Sequence, residues 1–274
     1  MNTVRVMSKN AAYQRFEVLR TNRNKRYRYG EFLVEGVRNI NQAIRNGWQF
    51  TSLLYSPETP LSRWAQEVLD TVSCDTHYQL SANLMQELSG KTDTSELLAI
   101  LRMRPDDPAL LHDSPCPLYI LFDRPSNHGN LGSIIRSADA LGADGLILTG
   151  HGVDLYQPEV VTASMGSFFN LPAIRMANND TVFAWIARQR DLHPGFQVIG
   201  TTAHKQLNIT QVDFRLPTLL MIGNETEGLC RAFKEGCDLL ATIPMADTSS
   251  ASSFNVACAA TVMMYEVCRQ RAQG

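Results

Sequence analysis

The sequence predicts an α/β protein of two domains, and three observations lead to this prediction. The chain has 274 residues, more than the usual length of about 100–200 residues for one domain. Short apolar runs alternate with segments of helical periodicity in both halves of the chain. A segment rich in proline and aspartate lies between the halves and has the composition of a linker. We therefore predict one domain at 1–103, a linker at 104–117 and a second domain at 118–274.

The first domain reads as a small α/β unit. A polar, helix-like stretch ends near Arg20, and strands and helices alternate after it. In order they are strand FLVEG (32–36), helix VRNINQAIRNG (37–47), strand FTSLLYS (50–56), helix LSRWAQEVLDTV (61–72), a strand at 76–80, a short helix from Asn83 and the apolar run 97–101.

The second domain contains a longer series of apolar strands separated by helix-period segments. These strands are LYILF (118–122), GLILTG (145–150), LPAIRM (171–176), FQVIG (196–200), LLMIG (219–223) and LLATIPM (239–245). Continuous apolar runs of this kind are typical of parallel strands that are covered on both faces. We therefore expect a mostly parallel sheet in this half.

Charge is distributed very unevenly along the chain. The formal net charge is −2, but residues 1–48 contain ten lysines and arginines against three glutamates, so this segment carries +7 and the remainder −9. Basic segments bind polyanions because their side chains displace the counterions condensed on phosphates. The candidate RNA-binding residues are Arg23, Lys25, Arg26, Arg28 and Arg38. The alternative is an ordinary solvated basic face.

The sequence also argues against a membrane protein, a secreted protein and a protein held by a metal or by disulfides. Apolar runs are too short to span a membrane, and the N-terminus lacks the apolar core of a secretory signal, so we expect a cytoplasmic protein. The six cysteines form no C-x-x-C pair and have no histidines at zinc-ligand spacing, which favours reduced thiols over a metal site or disulfides.

The first of three motif clusters is DRPSNHGNLGSIIRSADALG, at 123–142. We expect a polar loop at 127–132 and a helix from about Ser133, an arrangement that suits anions. On this helix Ile134 and Ala138 would face the core, and Arg136 would point elsewhere and could reach a phosphate. The alternative is a plain strand-to-helix turn with a solvated arginine.

The second cluster, LLMIGNETEGL at 219–229, is a strand that runs into a polar loop. Gly223 would permit close approach of a ligand to the backbone. Glu225 would lie at the carboxyl end of a strand, where open α/β sheets bind their ligands. As an alternative, Glu225 caps the helix that follows Gly228.

The third cluster, TIPMADTSSASSFNVACAATVMMYEV at 242–267, passes from an apolar strand through a serine-rich loop into a helix. We expect this helix to begin near Phe254, with Ser252 or Ser253 as its N-cap. Capping alone would explain the serines, so this cluster by itself predicts no chemistry.

Together, the order of the three clusters resembles the SpoU family of RNA ribose 2′-O-methyltransferases, which belongs to the TrmH-like, SPOUT group. The likeness is carried by Asn130 with Arg136 six residues later, by GNETEGL, and by IPM followed by SSFNVACAATVMMYE. SMGSFFNLP (164–172) also fits the pattern. In the first half, SKNAAYQRFEVL, GEFLVEGVR and NGWQFTSLLY resemble the family's substrate-binding domain, which is similar to the ribosomal protein L30e.

This resemblance implies a fold and an activity. It implies a trefoil-knotted α/β catalytic domain, an L30e-like RNA-binding domain and a homodimer, although knots are nearly absent among proteins in general. S-adenosylmethionine is the implied methyl donor and a nucleotide of 23S rRNA the implied substrate, and resistance to a ribosome-targeting antibiotic is an implied biological role. Alternatives are a tRNA 2′-O-methyltransferase or a non-catalytic RNA-binding or ribosome assembly factor.

The resemblance also nominates site residues. The implied catalytic residues are Arg136, Asn130, Glu225, Ser253 and Asn255, and the implied cofactor contacts are Gly223, Ile243, Phe254, Thr201, Met245 and Ser253. We expect Arg136 to act electrostatically, because a guanidinium is effectively always protonated and is a poor base.

The third motif departs from the family pattern in two places. Asp247 and Phe254 stand where the family usually has glycine and leucine, and the loop between them is longer. A nucleotide-dependent oxidoreductase is a weaker alternative, since the sequence has neither a G-x-G-x-x-G motif after a strand nor a P-loop.

Overall fold

A computed structural model describes residues 2–91, 93–204 and 206–273. The strands within these residues are β1 (Asn2–Val6), β2 (Glu31–Glu35), β3 (Phe50–Tyr55), β4 (Thr76–Leu80), β5 (Leu97–Arg102), β6 (Leu118–Asp123), β7 (Gly145–Thr149), β8 (Ala173–Met176), β9 (Gln197–Thr201), β10 (Leu207–Asn208), β11 (Thr218–Ile222) and β12 (Leu239–Thr242). The α-helices are α1 (Ala11–Thr21), α2 (Arg23–Tyr29), α3 (Val37–Arg45), α4 (Arg63–Thr71), α5 (Ala82–Ser89), α6 (His128–Ala140), α7 (Pro158–Ala163), α8 (Asn179–Leu192), α9 (Arg231–Gly236) and α10 (Val256–Arg271).

The chain forms two compact units, which we describe separately. The first consists of Met1–Arg104 together with Asp154–Asn170, and the second of Pro105–Val153 together with Leu171–Gly274. The sequence placed 154–170 in the second domain and treated 104–117 as a separate linker. In the structure, 154–170 packs into the first unit and Pro105 begins the second.

The first unit contains a five-stranded mixed sheet in the order β1-β4-β3-β5-β2. The pairs β1–β4 and β3–β4 are parallel, whereas β5 is antiparallel to both β3 and β2. Helices α1 and α5 cover part of this sheet through a core that includes Phe16, Leu33, Leu54, Leu88 and Leu98. The sequence reading missed β1 and α2.

The segment Asp154–Asn170 completes an aromatic cluster in the first unit. The rings of Phe32 and Tyr156 have centroids 4.8 Å apart, and those of Trp48 and Phe168 are 5.5 Å apart. The indole Nε1–H of Trp48 donates a 2.9 Å hydrogen bond to the carbonyl of Phe169. Buried aromatic pairs of this kind stabilise a fold beyond the apolar area they bury.

The second unit is built on a seven-stranded sheet in the order β10-β12-β9-β11-β6-β7-β8. Each of its strand pairs among the described residues is parallel, which confirms the prediction from the continuous apolar runs. Every residue of β6, β7 and β11 is buried. Because the strands are parallel, the loops that follow β6, β11 and β12 leave the same edge of the sheet, where open α/β sheets bind ligands.

Three further properties concern the described residues as a set. None of their helices has the length and apolar character that would let it cross a membrane. They include no cluster of histidine, cysteine and acidic side chains that could hold a metal ion. The six cysteines are free thiols.

Candidate active site

The start of α6 differs from the prediction. The helix begins at His128, not near Ser133, because Asn127 is its N-cap: the Asn127 backbone is extended and its side chain accepts a 2.9 Å hydrogen bond from the Asn130 N–H. Gly129 and Gly132 therefore lie inside the helix, not in a phosphate-binding loop. Asn130 lies in the first turn, next to the loop that follows β6.

Glu225 connects two of the loops at the sheet edge. Its carboxylate accepts hydrogen bonds from the Ser126 N–H (3.0 Å), the Ser126 hydroxyl (2.6 Å), the Asn127 N–H (3.1 Å) and the Asn130 side-chain amide (3.3 Å). Burial works to raise the pKa of Glu225, but the hydrogen bonds from Ser126 and Asn130 hold this pKa below its ordinary value. Glu225 is therefore an ionised acceptor at neutral pH.

The alternative in which Glu225 caps the next helix is wrong. Helix α9 begins at Arg231, and its N-cap residue, Cys230, makes no side-chain capping bond. The carboxylate of Glu225 instead orients the loop after β6 and the first turn of α6.

Asn255 brings the third loop to the same place. Its side-chain Nδ2–H donates to Asn130 Oδ1 at 3.2 Å, while its Oδ1 accepts from the N–H groups of Ala257 and Cys258. Asn255 is thus the N-cap of α10, which begins at Val256. The expected cap at Ser252 or Ser253 and the expected helix start near Phe254 are wrong by a few residues. A hydrogen-bonded chain runs from Glu225 through Asn130 to Asn255.

A cavity of about 350 Å³ lies beside this chain, at the carboxyl ends of the central strands. Residues of the loops after β9, β11 and β12 and of the first turns of α10 line it. The six residues nominated as cofactor contacts all belong to this lining: Thr201, Gly223, Ile243, Met245, Ser253 and Phe254. Glu225 lines it as well, whereas Asn130, Asn255 and Arg136 are not among the lining residues.

Gly223 is required by its own loop. A Cβ atom at this position would lie 2.2 Å from the N atom of Leu229 and 2.3 Å from the carbonyl carbon of Gly228, closer than atoms can pack. Asn224 and Gly228 exchange two backbone hydrogen bonds of 3.0 and 3.1 Å, which close the loop on itself. The sequence led us to expect a ligand close to the backbone of Gly223, but the atoms that approach it here are the backbone atoms of Gly228 and Leu229 in the same loop.

The sequence reading missed a second network that fixes the same loop. Arg124 donates from Nη2 to the Gly228 carbonyl (2.9 Å), forms a salt bridge with Glu227, and donates from Nε to Asp123 (3.1 Å). Its own carbonyl accepts from Asn224 Nδ2 at 2.7 Å. Arg124 adopts a positive φ of 51°, which is rare for a residue with a side chain. That backbone angle has no signature in the sequence.

Asp123 anchors this network from inside the protein. Its carboxylate is 2% exposed and accepts hydrogen bonds from the Thr149 hydroxyl (3.1 Å) and the Cys230 N–H (2.8 Å) in addition to Arg124. A polar residue that ends an otherwise apolar strand was the signal that could have identified it.

Arg136 lies on an exposed face of α6, one residue before Ser137, whose hydroxyl is 2.7 Å from that of Thr261 on α10. Ile134 and Ala138 are buried as predicted. Within the described part of the chain, the Arg136 guanidinium makes neither a salt bridge nor a hydrogen bond. The structure therefore brings Asn130, Glu225 and Asn255 together and leaves Arg136 free to bind another molecule.

The prediction that Arg26 binds RNA is wrong. Arg26 is fully buried and forms a salt bridge with Asp154 (2.6 Å); it also donates to Gln157 and to the carbonyls of Leu19 (2.9 Å) and Arg20 (3.0 Å). All its donor groups serve the interior of the first unit. Of the other nominated cations, Arg28 and Arg38 are exposed, and Arg23 and Lys25 are partly exposed.

Comparison with known proteins then identifies the family. The model of the SpoU rRNA Methylase family matches residues 117–265. The chain belongs to this family. A second model, that of the SpoU L30e-like domain, matches residues 10–99. The predicted family and the predicted pairing of a SpoU catalytic domain with an L30e-like domain are confirmed.

Two relatives illustrate the range within the family. The chain is 45% identical over 271 residues to the 23S rRNA (uridine(2479)-2′-O)-methyltransferase of Streptomyces viridochromogenes. The aligned region covers 98% of this chain and 93% of that protein. It is 31% identical over 203 residues to the 23S rRNA (guanosine-2′-O-)-methyltransferase RlmB of Coxiella burnetii, with 74% of each chain covered.

Solved structures agree with these matches. The SpoU methyltransferase AviRb from S. viridochromogenes, in complex with the cofactor AdoMet, superposes with a TM-score of 0.91 at 45% identity, covering 97% of this chain and 99% of that one. The AdoMet-bound rRNA methyltransferase from Sinorhizobium meliloti gives a TM-score of 0.84 at 29% identity, covering 97% and 98%. These matches confirm the predicted fold class, and the trefoil knot stays a prediction.

Proposed function

We propose that this protein transfers a methyl group from S-adenosylmethionine to a ribose 2′-hydroxyl of 23S rRNA. The observation that carries this proposal is the chain of hydrogen bonds from Glu225 through Asn130 to Asn255, beside a cavity at the carboxyl edge of a parallel sheet. The names of the family and of the relatives described above point to the same reaction. We assign RNA binding to the first predicted domain (1–103) and catalysis to the second (118–274).

The cavity is compatible with the proposed cofactor. Its volume of about 350 Å³ falls within the range of roughly 300–1,000 Å³ that is usual for ligand pockets. Apolar side chains of Leu229, Ile243 and Met263 form part of the lining and suit an adenine ring, and Thr201 and Ser253 supply hydroxyl groups. Bound S-adenosylmethionine supplies a methyl group that is already activated, so the protein has mainly to position the acceptor.

Asn130 is the residue best placed to orient the acceptor ribose. Its Nδ2 donates to Glu225 and its Oδ1 accepts from Asn255, so its side chain is fixed from both sides. An amide has a second N–H and a second lone pair, and we assign these to the ribose. Holding reactants in register can supply roughly 7–11 kcal/mol of a barrier.

Arg136 is assigned an electrostatic role toward the RNA. Its exposed guanidinium is free of protein partners within the described residues and can bind a phosphate or the developing charge on the 2′-oxygen. Because Arg136 does not line the cavity, we propose that the protein acts as a homodimer in which a second copy supplies this arginine. The exposed Val262 and Tyr265 side chains on α10 are available for such an interface.

Methyl transfer from tritiated S-adenosylmethionine to 23S rRNA tests the proposed activity. We expect transfer by the wild-type protein, and its loss in Arg136→Ala with cofactor affinity unchanged within a few-fold. Mapping of 2′-O-methyl groups would then locate the nucleotide. Wild-type turnover in Arg136→Ala would refute the role of the arginine, and no transfer by the wild type would favour a non-catalytic RNA-binding factor.

The same assay with tRNA separates the substrate alternatives. We expect 23S rRNA to be preferred, and we place the reaction in the cytoplasm, where ribosomes are found. As the biological role we propose protection of the ribosome from an antibiotic that binds near the methylated ribose. Cells that express the active protein should then resist such a compound, and cells that express Arg136→Ala should not.

A further inference from the structure

One face of α2 combines cations with an aromatic ring. Arg28 and Tyr29 follow Lys25 by three and four residues, so their side chains leave the helix on either side of Lys25, within about 100° of each other. Tyr29 is 36% exposed, Arg28 is exposed and Lys25 is partly exposed. We call these three residues the α2 platform.

The ring of Tyr29 is held by a neighbouring arginine. The guanidinium carbon of Arg15, on α1, lies 5.2 Å from the centroid of the Tyr29 ring, within the range of a cation–π contact. The same guanidinium is held by a 2.6 Å salt bridge to Glu31, whose side chain is only 4% exposed. An aromatic ring supported in this way is a preformed stacking surface.

The cations of the platform are available to an anion. Arg15 and Arg26 are neutralised by Glu31 and Asp154. The side chains of Lys25 and Arg28, in contrast, make neither hydrogen bonds nor salt bridges within the residues that the structure describes. Two unpaired positive charges therefore flank an exposed aromatic ring.

A single-stranded stretch of RNA has the matching chemistry. Unpaired bases stack on aromatic rings and on guanidinium planes, and their phosphates bind lysine and arginine. In a duplex the bases are already stacked on one another, so their faces are not available to stack on a protein side chain. The combination of ring and cations therefore favours unpaired RNA over a duplex.

We propose that the α2 platform binds an unpaired segment of the substrate RNA, with Tyr29 stacked on a base and Lys25 and Arg28 bound to the flanking phosphates. This inference rests on the proposed function, which supplies RNA as the ligand. It adds that the recognised part of that RNA includes single-stranded nucleotides and that aromatic stacking contributes to recognition.

The test measures binding by the full-length protein without a methyl donor. The probes are a single-stranded RNA oligonucleotide, the same strand in a duplex, and the strand with abasic sites. Tyr29→Leu removes the ring, Tyr29→Phe keeps it, and the double variant Lys25→Gln/Arg28→Gln removes the two charges. Thermal melting of each variant checks that it is folded.

The ring variant and the charge variant should affect different measured quantities. We expect Tyr29→Leu to weaken single-strand binding by roughly 5- to 100-fold with an unchanged salt slope, and Tyr29→Phe to bind like the wild type. The charge variant should lower the slope of log K against log salt by about 1.4. The abasic strand should be insensitive to Tyr29→Leu.

Several outcomes would overturn the proposal. The stacking role would be refuted if Tyr29→Leu bound single-stranded RNA with unchanged affinity, or if Tyr29→Phe lost as much affinity as Tyr29→Leu. It would also be refuted if Tyr29→Leu lost the same affinity for the duplex as for the single strand. An unchanged salt slope in the charge variant would remove the phosphate contacts. Methyl transfer is assayed independently, so a platform that fails while the enzyme is active refutes this inference alone, and inactive protein with intact stacking refutes only the proposed reaction.

Discussion

Glu225 illustrates how a single carboxylate can organise a site at the residue scale. It accepts hydrogen bonds from Ser126, Asn127 and Asn130, so replacing it with glutamine puts an N–H group where two acceptor oxygens are needed. We expect Glu225→Gln to lower the rate of methyl transfer by about 10- to 100-fold through misplacement of Asn130. Single-turnover kinetics would measure this loss, and wild-type rates in the variant would contradict the positioning role.

The lowered pKa of Glu225 also predicts a pH dependence of stability. A carboxyl group whose pKa is lower in the folded state than in the unfolded state contributes stability above its unfolded pKa, and loses that contribution as the pH falls through the folded pKa. The wild type should therefore melt higher than Glu225→Gln at neutral pH. The difference should begin to shrink as the pH falls below the ordinary value of 4.5 and should disappear below the lower pKa of the folded state. Calorimetry from about pH 3 to pH 7 would check this, and a difference independent of pH would contradict it.

Arg26 should be important for stability and not for binding. Its removal would leave the buried carboxylate of Asp154 without its charged partner. We expect Arg26→Ala to lower the free energy of unfolding by about 3–5 kcal/mol. Arg28→Ala, an exposed arginine on the same helix, is the matched control and should change it by less than about 0.5 kcal/mol. Urea denaturation would compare the two, and equal effects would refute the distinction.

At the scale of elements, Arg124 braces the loop that carries Glu225. It contacts Glu227 and the Gly228 carbonyl beyond that residue, and its carbonyl accepts from Asn224 before it. Removing these contacts should loosen the loop and misplace the carboxylate. We expect Arg124→Gln to reduce turnover by roughly 10-fold or more and to speed amide hydrogen exchange in residues 224–228.

A matched control for this loop exists on the neighbouring helix. Arg231 is highly exposed, and among the residues that the structure describes its side chain pairs with Glu235, one turn along α9. Arg231→Gln should leave both turnover and exchange unchanged. If Arg124→Gln behaved in the same way, the brace would have no role in positioning Glu225.

Sequence reasoning predicted the elements of the site better than their boundaries. Apolar runs located β6, β11 and β12, but α6 begins at His128 and not near Ser133, because Asn127 caps the helix. Competing caps within a few residues look equivalent in a sequence, since both Asn and Ser are good N-caps. The sequence also could not show why residue 223 must be glycine, because this depends on how closely the backbone of Gly228 approaches the backbone of Gly223.

At the scale of the whole molecule, the proposed homodimer makes a prediction about mixed protomers. If the second copy supplies Arg136, a dimer of one Arg136→Ala chain and one Glu225→Gln chain has one intact site. Half of randomly formed dimers are mixed, and each has one complete site of two, so co-expression should restore about a quarter of wild-type activity. Restoration no greater than the sum of the two separate variants would place Arg136 in its own chain's site.

At this scale, the features that the sequence could not predict were contacts between residues far apart in the chain. The fold class followed from local patterns and from the motif order, whereas the partner of Arg26 is 128 residues away. A basic side chain beside other basic side chains looks exposed unless that partner is known. The same applies to β1, which pairs with β4 across about seventy residues.

The return of Asp154–Asn170 to the first unit has a consequence for how the protein is made. A ribosome releases the chain from its N-terminus onward, so Arg26 and Trp48 emerge long before Asp154 and Phe168, with all of β6, α6 and β7 synthesised in between. The first hundred residues therefore lack these contacts until Asp154–Asn170 has been synthesised, after the first strands of the second sheet. A recombinant fragment that ends at residue 103 would lack them permanently.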